Sequence, residues 1–357
     1  MKKVLVLLII VVILPMFSLS ASAEGEAGGY ISEFENILPE SLSGITEADN
    51  LAEMVSIKGL ISNLFSAIRG ESSGAIAFFL QLLGCVALIS AAETLGGKMG
   101  EEVGSAVGIV SSILIFSSIR QVHIGVSESL NEVSSFFASL IPITAGVTAL
   151  GGGNATAATQ SSAMYMTVSL IGRFGFEIFG AIISLGLAVA LLSAFGAEEI
   201  TAISRGIRGV FFWLLGIFTT LITGSFALQT LVSTAQDSMS IRAAKYMASG
   251  LIPVVGSTVS GALSTLASGL SYAKGIIGTG AVVGLICLII SPLATMLLYR
   301  LALSVAIMIS DFVGKGAAKI LSAYRFSLDL LVALYALSAL IYIFEIVLFI
   351  KIGVALL

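Results

Sequence analysis

Four stretches of this sequence run for about 20 residues or more without a charge: Gly74–Ala92, Ile178–Ala197, Gly209–Ala235 and Gly275–Tyr299. A fifth, Leu330–Ile350, carries only Glu345. A hydrocarbon core ~30 Å thick is crossed by ~20 apolar residues in helical conformation. Val103–Ile119 is shorter, but it is bounded by Glu102 and Arg120 and reads as a further span. Lipid offers no partner to a backbone N–H or C=O, so such segments must satisfy their own backbone as helices. The expected fold is all-α: a polytopic membrane helix bundle of about six to eight transmembrane helices, some re-entrant or broken.

Composition agrees. Hydrophobic residues make up 57% of the 357 positions and charged ones 11%, against ~25% charged in a soluble domain. A water-soluble enzyme is excluded, because folding leaves roughly a quarter of the unfolded surface exposed at this size. A net charge of −4 provides no basic face for nucleic acid. Cys85 and Cys287 sit inside apolar runs, and His123 is the single histidine. Neither a disulfide framework nor a multi-histidine metal site is in view, and no cofactor is implied. No paired aspartates or Ser/His constellation lies within the spans, so no catalytic residue is assigned.

The amino end reads as an export signal over residues 1–23. Lys2 and Lys3 precede an apolar run from Val4 to Phe17, and Ala21-Ser22-Ala23 supplies a small-x-small cleavage pattern. An uncleaved span is the alternative; in either case the following segment starts outside the cytoplasm. That segment, residues 24–73, holds nine acids against Lys58 and Arg69. Apolar residues from Leu51 to Ile68 recur at helical spacing, so Glu47–Arg69 reads as an amphipathic helix. It could dock a partner outside the membrane, or lie on the membrane or on its own bundle.

Residues 74–357 form the membrane domain, and two of its segments are not simple spans. Val133–Gly172 has no charge, yet Gly151, Gly152, Gly153 and Asn154 interrupt it, and each glycine costs about 1 kcal/mol in a helix. Leu251–Ala273 is rich in Gly, Ser and Thr and opens near Pro253. Each reads as a broken, re-entrant or crossing element. Phe137–Pro142 aligns with Met247–Pro253 allowing one inserted Gly, which suggests an internal repeat over about 103–200 and 209–299, or chance similarity between apolar sequences.

Candidate conduit or broken-helix positions are Pro142, Gly151–Asn154, Arg173, Glu177, Pro253, Gly256 and Glu345. Arg173 and Glu177 are four apart and would share a helix face; as conduit-lining residues or as interfacial charges, they sit beside the long uncharged segment. A charge inside a span costs ~2.5–3.5 kcal/mol and usually faces a partner or a wet cavity, which singles out Glu345. Gly104/Gly108 and Gly280/Gly284 have the GxxxG spacing that lets helix backbones approach closely.

The run from Lys245 and Tyr246 to Pro253, Val254, Val255 and Gly256 resembles the K-Y-x(6)-P-V-V-G signature of stage III sporulation protein AE. The layout of signal, acidic exported segment and polytopic remainder is similar to that family along essentially the whole chain. The resemblance implies a multi-pass subunit of the channel or secretion complex built between mother cell and forespore. It also implies residence in the mother-cell-derived outer forespore membrane. The implied partners are membrane lipid, an ATPase, small membrane subunits and intermembrane ring proteins, with self-association into a homo-oligomer also compatible. The resemblance implies a need for this subunit in forespore development and late forespore gene expression. The residues alone leave open a stand-alone secondary transporter built on the repeat.

Overall fold

A computed structural model describes residues 28–38, 57–94, 97–150, 153–195, 199–251, 256–313 and 315–354. These residues are helical, with no strand among them. The elements are α1 (Gly28–Ile37), α2 (Ile57–Glu93), α3 (Gly97–Leu150), α4 (Asn154–Leu170) and α5 (Gly180–Leu192). They continue as α6 (Glu199–Leu251), α7 (Gly256–Val313) and α8 (Lys315–Val354). A π-helical segment, Ile171–Phe179, joins α4 to α5 without a break. Six helical stretches are long and apolar enough to cross a membrane: Phe65–Glu93, Glu102–Leu150, Asn154–Leu192, Ala202–Ala227, Ser271–Val313 and Gly316–Lys351. The protein is a multi-pass membrane helix bundle.

Successive helices alternate in direction, and the contacts between them set the register. Parallel α3 and α8 are joined by three buried hydroxyl pairs: Ser112–Tyr324 at 2.8 Å, Ser129–Tyr335 at 2.8 Å and Ser134–Tyr342 at 2.7 Å. Parallel α2 and α7 meet through Phe78 stacked on Tyr299 and through Ser90 bonded to the Val313 carbonyl. An Arg300–Asp329 ion pair ties α7 to α8. Phe174, Phe179, Phe211 and Phe218 interlock α6 with the π segment. The C-terminal ends of α2, α5 and α7 therefore share one end, the base, and those of α3 and α6 share the other, the tip.

Large apolar side chains left exposed, among them Val110, Leu114, Leu185, Trp213, Leu301 and Met308, cluster toward the base. Toward the tip the hairpin of α3 and α4 exposes Ser135, Ser139, Asn154 and Ser162 beside the apolar Pro142, Leu150, Ala158, Tyr165 and Met166. Exposed apolar area on this scale needs lipid as its solvent, and among the described residues it is richest toward the base.

The structure also departs from the sequence reading. Val103–Ile119 and the first half of Val133–Gly172 are one helix, α3, which at 54 residues is about 81 Å long. α3 ends at Leu150 and α4 begins at Asn154, while α6 ends at Leu251 and α7 begins at Gly256, with residues 252–255 outside the described residues. Neither side of either break turns back within itself; the flanking helices run on. The helix expected over Glu47–Arg69 is not a separate element where it is described, since α2 runs from Ile57 through the first span. The expected signal segment, residues 1–23, lies outside the described residues.

Helix α1 was not anticipated. Fully buried Phe34 places its ring against Gly280 of α7, where a Cβ would sit 2.7 Å from Cε1. Tyr30 lies in the same way against Gly146 of α3, and Leu38 and Phe136 cover Gly284. The Gly280/Gly284 pair therefore receives aromatic rings instead of another helix backbone. A Cβ at Gly108 would meet Ile320 at 3.6 Å and the Ala194 carbonyl oxygen at 3.9 Å, whereas Gly104 has open space beside it.

Candidate functional site

The buried face of α4 is built by helical spacing. Thr156, Gln160, Ala163 and Thr167 follow one another at intervals of four, three and four, and all are buried. This polar-tinged face meets α8, where Ser338 and Glu345 lie seven apart on one face and are both 0% exposed. The Thr167 hydroxyl donates to Glu345 Oε2 at 3.1 Å. Glu345 Oε1 has no partner, nor do the Ser338 hydroxyl and the two side-chain polar atoms of Gln160. A buried polar atom left unpaired costs about 1–3 kcal/mol, so such atoms call for an explanation by water or an ion.

Other polar groups adjoin this site. Buried Lys274 of α7 holds its ammonium 5.4 Å from the centroid of Phe349, one helical turn beyond Glu345. The Thr144 hydroxyl reaches Met164 Sδ at 3.5 Å, linking α3 to the same face of α4. Toward the base, His123, Ser127, Gly175 and Tyr335 line a small cavity beside the π segment. That segment is held open by an i→i−5 bond from the Gly180 N–H to the Gly175 carbonyl. Wide turns of this kind are rare and are often found at functional sites.

The predicted positions do not converge. Glu345 is in the core, fully buried. Arg173 and Glu177 are exposed on the π segment and form no ion pair with each other, because a wider turn does not stack residues four apart. Pro142 stays inside α3 and is exposed. Gly151 and Gly152 lie outside the described residues; Gly153 is buried, donates to the Thr148 carbonyl and accepts from the Ala157 N–H. Asn154 is the exposed first residue of α4. Lys245 and Tyr246 fall in the last turns of α6 and Gly256 opens α7, while Pro253, Val254 and Val255 lie outside the described residues. Sequence reasoning missed Gln160, Thr167, Ser338 and Lys274. The polar residues of α4 recur on a single face, and that periodicity was the available signal.

The family model for stage III sporulation protein AE matches residues 33–353. The chain belongs to the stage III sporulation protein AE family. Stage III sporulation protein AE of Bacillus subtilis (strain 168) is 24% identical over 290 residues, covering 77% of this chain and 72% of that protein. No solved structure matches. Among the described residues, no group of three or more His, Cys, Asp or Glu side chains comes together to hold a metal ion.

Proposed function

We propose that the chain is a multi-pass subunit of the channel or secretion complex between mother cell and forespore. It sits in the outer forespore membrane with the acidic segment, residues 24–73, outside the cytoplasm. Its partners are an ATPase, small membrane subunits and ring-forming proteins of the intermembrane space. The observation that carries the reading is the family match over 321 consecutive residues, from 33 to 353. The bundle supports it in a second way. Its helices are far longer than a bilayer is thick, and the tip end, less apolar in its exposed surface, suits contact with partners in an aqueous space.

The two long hairpins, α3 with α4–α5 and α6 with α7, support the internal repeat over about 103–200 and 209–299. Each is a long helix, a Gly- or Pro-marked break and a long return. In this reading the breaks brace the tip of the bundle, and a conduit forms between subunits. Within one chain, a small cavity lies beside the π segment, lined by His123, Ser127, Gly175 and Tyr335.

The test is deletion in the sporulating host. Loss of late forespore gene expression, restored by the gene, together with co-purification of the other membrane and intermembrane subunits, is expected. Robust solute flux through liposomes holding this protein alone would favour the stand-alone transporter, a reading to which the buried Glu345 lends its one specific support.

A further inference from the structure

We propose that Glu345 is the centre of an internal site for a single small cation, the proton included, reached through a file of otherwise unsatisfied polar groups. Helices α4 and α8 run antiparallel, as the Thr167–Glu345 and Ser327–Ile183 contacts fix. Gln160 is two turns from Thr167 toward the tip, and Ser338 is two turns from Glu345 toward the base. The three unpaired groups therefore lie in a row of roughly 20 Å, with Glu345 in the middle. Tyr335, one turn below Ser338, lines the cavity shared with His123, Ser127 and Gly175. The row thus begins at a cavity that the π segment opens in the side of the bundle.

The chemistry of these groups selects the ligand. Glu345 offers carboxylate oxygens, and Gln160, Thr167 and Ser338 add amide and hydroxyl oxygens. This is a hard, oxygen-only donor set with one negative charge, suited to Na⁺, K⁺ or H⁺ and poorly suited to a soft transition metal. A carboxylate with no exposure and a single hydroxyl donor is costly unless a positive charge neutralises it. Among the described residues, the ionisable groups around it are few. Lys274 of α7 lies one turn away over Phe349, Lys351 on α8 itself is exposed, His123 lines the cavity, and Arg173 and Glu177 of the π segment are exposed. Helix α4 contributes no charge.

This inference does not rest on the sporulation reading, which survives its failure. The test uses the full chain in lipid nanodiscs, wild type against Glu345→Gln. Thermal midpoints are compared in N-methylglucamine, sodium and potassium chlorides at one ionic strength, across a range of pH. A cation occupant raises the wild-type midpoint by about 5 °C at a hundredfold excess over half-saturation. A proton occupant instead raises it as pH falls, without regard to Na⁺ or K⁺. In both cases Glu345→Gln removes the response, while Ser338→Ala and Gln160→Leu weaken it without lowering the midpoint in N-methylglucamine. Identical salt and pH responses in wild type and Glu345→Gln overturn the proposal. If Glu345→Gln does not fold, the wild type decides the matter through labelled-Na⁺ binding competed by K⁺ and through the infrared carbonyl band of a protonated carboxyl. Absence of both overturns the proposal.

Discussion

The seat of α1 on Gly280 predicts the outcome of one added methyl group. Gly280→Ala would place Cβ 2.7 Å from Cε1 and 2.8 Å from Cζ of Phe34. Phe34 is fully buried and has no free direction in which to turn. Overpacking of this kind costs about 1–3 kcal/mol. It is relieved most cheaply by releasing α1, a ten-residue helix whose largest attachment is the burial of Phe34, itself stabilising by about 1.5–3 kcal/mol. The two figures are comparable, so α1 of the variant should leave its seat a substantial fraction of the time. Glu33 and Glu35 lie on its exposed face, and cleavage after them by a glutamate-specific protease, followed by mass spectrometry, reports the open population. A shift of 1–3 kcal/mol corresponds to cleavage roughly 5- to 150-fold faster. Phe34→Ala should have a similar effect, and adding Gly280→Ala to it should change little further, because the clash has lost its partner. Gly146→Ala should act more weakly, since the half-buried Tyr30 ring can swing aside. Wild-type cleavage rates in Gly280→Ala, or full additivity with Phe34→Ala, would refute the account.

Trp213, the single tryptophan, is 67% exposed within the apolar surface of α6, so its fluorescence in vesicles should be strongly quenched by brominated acyl chains; quenching by aqueous iodide instead would displace the bilayer from this band. Tyr324→Phe removes a buried hydroxyl bonded to both the side chain and the carbonyl of Ser112 and should destabilise the bundle by about 1–3 kcal/mol, read as a lower thermal midpoint. Removing both partners, with Tyr324→Phe and Ser112→Ala together, should cost less than the two single changes summed. Replacing Gly151–Gly153 with alanines lets helix propagate where three glycines now oppose it; the expected outcome is a hairpin that fails to close and sporulation that fails with it, and unchanged sporulation would dismiss the break as unimportant.

The two helix breakers of the α3–α4 region show where sequence reasoning works and where it fails. α3 ends at Leu150, just ahead of a glycine run that contributes neither helix propensity nor side chains that neighbours could hold. Pro142 does not end it. The residues on both sides of it, Leu140, Ile141, Ile143 and Thr144, are all buried, and packing of this kind outweighs the loss of one backbone hydrogen bond. Propensity is a local property, and the packing that overrides it involves α4, α8 and α1, which no window of sequence contains. Glu345 was legible because a lone acid in an apolar run is costly wherever it lies. Its surroundings were not, since Thr167 is 178 positions away.

The reading of Val103–Ile119 and Val133–Gly172 as separate segments failed for a more instructive reason. A charge ends a membrane window, but it ends a helix only if it interrupts the buried face. In α3, Arg120, Glu128 and Glu132 are exposed, while Val122, Val126, Leu130 and Val133 are buried at intervals of four, four and three. That is the period of a helix with one face in a protein core, and it joins the apolar segments on either side into a single rod. Two rods of this length set side by side cannot both be covered by a ~30 Å hydrocarbon layer. The charges along their middle must therefore meet water or headgroups, and the part of the bundle beyond them needs protein for cover. α1 supplies some of that cover: its aromatic rings fill glycine notches near the tip of α3 and on the tip-side half of α7, so this short helix belongs to the packed structure of the bundle it precedes.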